Sequence, residues 1–246
     1  MEHVEIRPAI HYWGTPVVLV STLNEDGTTN VAPMSSAWWL GWSCMLGLDA
    51  SSRTIENLRR HPECVLNLAD AALAGAVDRL ALTTGSASVP IHKRALGYRS
   101  VADKLGHAAL TSEPSLDVRP ARIAECAVQL ECVVESVRPF ARADPRMSVA
   151  ACAVEVRIVR AHADRALLVS GEPDRIDAAK WRPLVMSFRR LFALGDEVRP
   201  SRLARGPESA YAPWQRGVLG AAVGRVLRAW STHAHGVEPR DDHADE

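Results

Sequence analysis

Two clusters of polar residues in the first quarter of the chain have the composition of a binding site for a ligand with a flat polar ring and an anionic group. The first cluster spans residues 30–36 and the second spans residues 51–54. Backbone amides and hydroxyls suit the polar edge of a heteroaromatic ring, whereas hydroxyls, free N–H groups and a helix N-terminus suit a phosphate. Each cluster follows an apolar segment, so the strands and helices around it decide what it can bind.

The first cluster leaves a predicted strand through a proline. Its members are Asn30, Val31, Ala32, Pro33, Met34, Ser35 and Ser36. Pro33 removes a backbone donor and restricts Ala32 to extended geometry, so successive N–H and C=O groups face one side. These groups match the N3, O2 and O4 edge of an isoalloxazine, with the serine hydroxyls near the ring or its ribityl chain. The alternative is that Asn30 and the serines only satisfy a turn.

The second cluster opens a predicted helix. Its members are Ser51, Ser52, Arg53 and Thr54. Free N–H groups and the helix dipole favour an anion at such a start, and the fork of an arginine suits phosphate. The alternative is an ordinary capping cluster with a solvated arginine. Because both clusters occur in one β-rich segment, we favour flavin mononucleotide (FMN) as the ligand.

Apolar alternation predicts the elements that position these clusters. Strands are predicted at residues 17–23, 30–33, 44–48, 63–68, 123–138 and 148–160, and helices at residues 52–60, 70–82 and 175–180. Residues 24–27 predict a hairpin turn that ends in Gly27. Residues 83–119 are rich in Gly, Ser, Pro and Ala, which predicts a long excursion with short helical pieces. The pattern is that of a barrel with helices at its periphery.

Beyond residue 200 the composition changes. We therefore expect a main domain at residues 1–200 and a C-terminal extension at residues 201–246. In the extension we expect a proline-bounded loop, a helix at residues 214–230 and a disordered, charged tail at residues 238–246.

The chain resembles the flavoredoxin-like branch of the flavin reductase family over roughly residues 10–200. The likeness is carried by residues 16–23, 26–27, 30–35, 51–58, 65–68, 103–104, 131–132 and 181–184. It implies a mainly β, Greek-key-like, FMN-binding split β-barrel with peripheral helices and a C-terminal helical extension. It also implies that residues 30–36 contact the isoalloxazine and ribityl, that residues 51–54 with Asn57 hold the phosphate, and that Lys104 lies near the cofactor.

The resemblance further implies an FMN-dependent oxidoreductase that passes electrons from NADH or NADPH through bound FMN. The acceptor would be free flavin, a partner oxygenase or another small molecule, and the protein would be a homodimer with FMN near the interface. Many family reductases carry a Gly-x-His in the last barrel strands, whereas residues 147–155 of this chain lack one. This difference leaves open a flavoprotein electron carrier without its own nicotinamide activity, or a specialised FMN enzyme on an unusual substrate. No catalytic acid or base is identified.

Composition excludes several other classes. With 29 Lys+Arg and 29 Asp+Glu the formal net charge is zero. We therefore expect the chain to bind neither nucleic acid nor an anionic membrane. Five cysteines without a C-x-x-C predict buried free thiols in a reducing cytoplasm. No apolar run approaches the roughly 18–20 residues of a membrane span. The nine histidines show no zinc-site spacing, so we expect no metal site.

Two further groups have alternative interpretations. Trp38, Trp39 and Trp42 predict core or dimer packing, with one indole as a wall of the substrate pocket as the alternative. The arginines Arg182, Arg189 and Arg190 could bind an acidic substrate or a cofactor pyrophosphate, or could be surface residues around a dimer contact.

Overall fold

The computed structural model describes residues 1–147, 149–206 and 208, and the chain divides into two units, Met1–Val198 and a second that begins at Arg199. The strands of the first unit are β1 (Trp13–Pro16), β2 (Val18–Leu23), β3 (Thr29–Met34), β4 (Ala37–Leu40), β5 (Ser43–Asp49), β6 (Glu63–Leu68), β7 (Thr83–Thr84), β8 (Arg99–Ser100), β9 (Ser112–Glu113), β10 (Arg122–Ile123), β11 (Val128–Phe140), β12 (Ala151–Ala163), β13 (Leu168–Val169), β14 (Glu172–Ile176), β15 (Leu184–Ser187) and β16 (Arg190–Ala193). Its helices are α1 (Arg53–Arg60), α2 (Ala74–Leu80), α3 (Ile91–Ala95) and α4 (Lys104–Ala108), with 3₁₀ turns at Ala71–Leu73 and Arg165–Leu167.

The second unit contains a 3₁₀ turn at Arg202–Arg205, which the Ser201 side chain caps. The helix expected at residues 214–230 and the tail expected at residues 238–246 lie outside the described residues.

A seven-stranded sheet in the order β3-β2-β6-β11-β12-β5-β4 dominates the first unit. Each neighbouring pair in it is antiparallel. A second sheet, β1-β15-β16, is also antiparallel. The predicted mainly β architecture with peripheral helices is therefore confirmed.

The hairpin between β2 and β3 forms as predicted. The N–H of Asn24 donates to the Thr28 carbonyl at 2.8 Å, and Gly27 has φ +84°. Glycine adopts this left-handed backbone without a steric cost. The hairpin carries the first polar cluster back along β3, at the edge of the sheet beside β2.

The core has two parts, one on each side of β2. Val18 and Val20 pack in the part that also contains Ile55 and Leu58 of α1, whereas Leu19 packs in the part that α2 and α4 cover. This arrangement follows from the two-residue period of a strand, which sends successive side chains to opposite faces. The sheet is thus buried on both faces at β2, and this rigid region carries the candidate site.

Two predictions differ from the structure. The helix expected at residues 175–180 is wrong, because Leu168 of β13 pairs with Ile176, which ends β14, and residues 178–180 form a turn. Trp38 and Trp42 do not pack in the core of the single chain, since they are 57% and 45% exposed, whereas Trp39 packs partly buried against the core. Dimer packing stays a prediction for the two exposed indoles.

All five cysteines are free and buried, which confirms the prediction of buried thiols. Among the helices of the described residues, none is both long and apolar enough to cross a membrane.

Candidate functional site

A cavity of about 510 Å³ opens beside the end of β3 and the start of α1. The predicted cofactor-binding residues that line it are Asn30, Ala32, Pro33, Met34, Ser35, Ser36, Ser52, Arg53, Thr54 and Lys104. Three other predicted residues, Val31, Ser51 and Asn57, are not part of its lining. The fold therefore brings most of both polar clusters to one cavity, although they lie on different elements.

The segment between β3 and β4 lies close against β5. The N–H of Gly47 donates to the Ser36 carbonyl at 2.8 Å, and a Cβ at position 47 would lie 3.1 Å from the Ser36 Cβ. Glycine at this position therefore allows the serine segment to lie tightly beside β5. Val31, one position after Asn30, points to the other face and packs in the core.

Asn30 is buried in the lining and is only partly satisfied. Its Nδ2 lies 3.4 Å from the Thr22 hydroxyl, to which it donates. Its Oδ1 is buried without a hydrogen-bond partner among the described residues. The backbone of Gly85 packs closely against this oxygen, since a Cβ at position 85 would lie 2.5 Å from it.

The start of α1 combines an ordinary cap with groups that face the cavity. The Ser52 hydroxyl accepts from the Ile55 N–H at 3.2 Å, which confirms the helix start. Thr54 is 1% exposed and lines the cavity. Arg53 donates from Nε to the Gly85 carbonyl at 3.3 Å and pairs through Nη1 with Glu56 at 2.9 Å. These contacts hold the guanidinium beside the helix N-terminus, where an anion is favoured.

Ser51 and Asn57 support the site from outside the cavity. The Ser51 hydroxyl donates to Asp49 Oδ1 at 2.7 Å. Asn57 is fully buried and donates from Nδ2 to the Thr22 hydroxyl at 3.1 Å and to Asn24 Oδ1 at 2.9 Å. Asn57 therefore joins α1 to the β2–β3 hairpin and fixes the position of both clusters.

Two buried lysines, Lys93 and Lys104, line the cavity. Lys104 is 3% exposed and makes no hydrogen bond or ion pair within the described part of the chain. Burial, with a smaller contribution from the charge of Lys93, lowers the pKa of Lys104 from 10.5 to about 8. Lys93 pairs with Asp49 Oδ2 at 3.2 Å. The Lys104 ammonium thus lacks a counterion in the described structure and favours a ligand with negative charge.

Burial alone would raise the pKa of the Asp49 carboxyl. Hydrogen bonds from the Ser51 hydroxyl and N–H and from His92, together with the charge of Lys93, nevertheless hold this pKa below its ordinary value. Asp49 is therefore an anion that offsets Lys93, and the positive charge of Lys104 remains uncompensated by it.

Sequence reasoning missed the lining residues that come from distant segments. Gly85, Lys93 and Tyr98 are such residues, and they come from the long excursion. Arg189, from the hairpin between β15 and β16, also lines the cavity and is one of the three arginines that the sequence offered as anion-binding candidates. Gly85 is the most closely packed of these, since a Cβ there would lie 2.5 Å from Asn30 Oδ1. The Gly- and Ser-rich composition of the excursion was the one sequence signal for such a close approach.

The cavity fits a flavin by the chemistry of its donors. The backbone groups of residues 32–36 suit the polar edge of an isoalloxazine, and the uncompensated Lys104 ammonium suits its electron-rich edge. Arg53 and the α1 N-terminus suit a phosphate. The residues present therefore match both ends of such a ligand.

Comparisons with known proteins identify the family. The family model described as the flavin reductase like domain matches residues 10–195. The Bacillus subtilis (strain 168) protein YdfE, described as uncharacterized, is 39% identical over 194 residues, which are 79% of this chain and 90% of YdfE.

Solved structures share the fold. Flavoredoxin of Desulfovibrio vulgaris (Miyazaki F) matches with a TM-score of 0.65 at 16% identity, over 84% of this chain and 100% of that one. Nitrilotriacetate monooxygenase component B from Bacillus cereus matches with a TM-score of 0.63 at 21% identity, over 81% of this chain and 100% of that one. The chain therefore belongs to the flavin reductase-like domain family, has the split-barrel fold, and is a flavin-related oxidoreductase.

Proposed function

We propose that the chain binds FMN in this cavity and passes electrons from NADH or NADPH to a flavin or another small acceptor. The observation that supports this best is that the Asn30–Ser36 segment and the start of α1 line the same cavity. One provides backbone and amide groups, and the other provides a helix N-terminus with an arginine. FMN needs both at opposite ends of the molecule.

The phosphate end lies at α1 in this proposal. Ser52, Arg53 and Thr54 hold the phosphate through a hydroxyl, a guanidinium and free N–H groups. Arg53 Nε and Nη1 are already bound to Gly85 and Glu56, which leaves Nη2 for the ligand.

The ring end lies at the β3 exit. The backbone of residues 32–36 faces the polar edge of the ring. Lys104 holds a positive charge in the cavity and stabilises negative charge that develops on the ligand. Bound FMN supplies the hydride and electron transfer, while the protein binds, orients and shields it from water.

A flavoprotein electron carrier is the second candidate. No histidine of the described residues lines the cavity, consistent with the absence of the Gly-x-His from residues 147–155. Electrons would then come from another protein instead of from a nicotinamide.

We further propose a homodimer with FMN near its interface. β4 lies at the edge of the large sheet, and its hairpin to β5 exposes Trp38, Leu40 and Trp42 at 57%, 77% and 45%. Contiguous exposed apolar side chains of this size are typical of protein contacts. A partner oxygenase as electron acceptor is supported by the likeness to a monooxygenase component.

The test is the visible spectrum of the purified chain, followed by anaerobic titration with NADH and with NADPH. A flavin spectrum that either nicotinamide bleaches supports the reductase. Bound FMN that only dithionite or a reduced protein can bleach supports the carrier. A colourless chain that fails to bind added FMN contradicts both.

A further inference from the structure

The turn between β15 and β16 has a strained backbone. Ser187 pairs with Arg190, so Phe188 and Arg189 are the two central residues, and their φ angles are +45° and +66°. Two-residue hairpins with positive φ at both positions favour Asn and Gly, because a larger side chain is disfavoured there. Such strain persists where the surroundings fix it, and it is concentrated at ligand sites.

Contacts with the N-terminal segment hold this turn in place. The N–H of Phe188 donates to the Tyr12 carbonyl at 2.8 Å. The Phe188 ring meets Trp13 edge to face, with the ring centroids 4.7 Å apart and the planes at 88°. With Phe188 fixed in this way, the next residue has little freedom in where its side chain begins.

That next residue, Arg189, lines the cavity from its exposed side. Its guanidinium makes no hydrogen bond or ion pair with any residue that the structure describes. The two neighbouring candidates differ from it. Arg182 lies 3.7 Å from Asp196 through Nη2, and neither Arg182 nor Arg190 lines the cavity. The structure thus separates one arginine of this segment from the other two.

The other cations of the cavity already have roles in the proposed function. Arg53 is placed at the phosphate, Lys93 pairs with Asp49, and Lys104 is 3% exposed and lies deep in the cavity. Arg189 is exposed and faces whatever enters from solvent. A guanidinium fork binds carboxylates and phosphates through two parallel hydrogen bonds.

We propose that Arg189 selects the substrate that meets the flavin by binding an oxyanion of it, a carboxylate or a phosphate. The proposal rests on the proposed function for the placement of FMN deeper in the cavity. The oxyanion belongs either to the pyrophosphate of a dinucleotide donor or to an acidic aromatic acceptor, and the two can be distinguished by experiment.

The test uses the full chain with Arg189→Gly, Arg189→Lys and, as a matched control, Arg190→Ala. Glycine adopts the positive φ at this position freely, so Arg189→Gly removes the charge without disrupting the turn. Affinities for ADP-ribose, for benzoate and for uncharged benzamide are measured by calorimetry, with and without FMN.

We expect Arg189→Gly to lower the affinity for ADP-ribose or for benzoate by about tenfold, because a charge-assisted contact at an exposed site is lost. Benzamide should be unaffected, Arg189→Lys should retain part of the affinity, and Arg190→Ala should match the wild type. If Arg189→Gly loses affinity for ADP-ribose, Arg189 binds the pyrophosphate of the dinucleotide donor. If it loses affinity for benzoate, Arg189 binds the acidic acceptor. Equal affinity in Arg189→Gly and wild type, equal loss for benzamide, or a wild type that binds neither anion at millimolar concentration contradicts the proposal.

The titrations without FMN keep the two hypotheses separate. A chain that does not bind FMN but binds an anion through Arg189 contradicts the proposed function and supports the oxyanion site. A chain that binds FMN but shows no change in anion affinity in Arg189→Gly supports the proposed function and contradicts the oxyanion site.

Discussion

The side-chain oxygen of Asn30 faces the backbone of Gly85 so closely that a methyl group at position 85 would lie 2.5 Å from Oδ1. The carbonyl of the same glycine accepts from Arg53 Nε at 3.3 Å. One residue of the long excursion therefore contacts both polar clusters. Its lack of a side chain allows them to approach each other across the cavity.

Gly85→Ala should weaken FMN binding by about tenfold or more. The added methyl group must displace Asn30 or the backbone at residue 85, at an overpacking cost of about 1–3 kcal/mol. Gly195→Ala is the matched control, because a Cβ there meets nothing within 4 Å. The measurement is the dissociation constant of FMN by fluorescence quenching. Equal affinity in the two variants would show that FMN binding does not need a glycine at position 85.

Arg53→Ala should weaken FMN far more than riboflavin. A charge-assisted hydrogen bond contributes about 1.5–3 kcal/mol, which is roughly 10- to 100-fold in affinity. Riboflavin has no phosphate and does not make this bond, so its affinity should change little. Arg59→Ala removes an exposed arginine from the last turn of the same helix and serves as the control. The same loss for FMN and riboflavin would place the phosphate elsewhere.

The free energy of unfolding of the FMN-free chain should rise between pH 8 and pH 10.5 because of Lys104. Its pKa is about 8 in the native chain and 10.5 ordinarily, so in this range the unfolded chain holds a proton that the native chain has lost. Stability then increases with pH by up to about 3 kcal/mol, and below pH 8 the cost of the buried charge is present in full.

Urea unfolding of Lys104→Met and Lys180→Met checks this expectation. Lys104→Met should lack the alkaline increase, whereas Lys180→Met, at a half-exposed side chain, should retain it. An identical pH dependence in both variants would mean that Lys104 is not the group responsible.

Glu131→Gln should destabilise the chain by about 2 kcal/mol. The fully buried carboxylate accepts the N–H groups of Leu116, Asp117 and Val118, and lies 2.7 Å from His162 Nε2. Burial would raise the pKa of Glu131, but these hydrogen bonds lower it below 4.5. The stability it provides is present above pH 4.5 and is lost as the pH falls through the native pKa.

Urea unfolding at pH 7 and at acidic pH measures this effect. Glu135→Gln is the control, because its exposed pair with Arg157 contributes little to stability. Equal stability of the two variants at pH 7 would refute a structural role for the buried carboxylate.

Leu40→Glu should weaken the proposed homodimer. Leu40 is 77% exposed on the edge strand β4, and a charge placed there opposes an apolar contact. Leu96→Glu, at a position 67% exposed on another element, is the control. Sedimentation velocity reports the oligomeric state, and an unchanged dimer in Leu40→Glu would place the interface elsewhere.

Much of the fold could be predicted from local signals. The turn at Gly27, the cap at Ser52 and the strand at residues 63–68 depend on neighbours in the sequence, and each formed where it was expected. The helix predicted at residues 175–180 was wrong because the pairing of Ile176 with β13 is a contact that no local sequence pattern encodes. Asn57 lies outside the cavity lining for a similar reason, since its partners Thr22 and Asn24 lie more than 30 residues away.

The sequence by itself determined that two polar clusters leave apolar strands near a helix start, because backbone preferences and side-chain period act over a few residues. Only the tertiary structure decided that Gly85, Lys93 and Arg189 join them around one cavity. These residues come from segments far apart in the chain. What brings them together is the packing of α2, the excursion and the β15–β16 hairpin against the same face of the sheet, which no short stretch of sequence encodes.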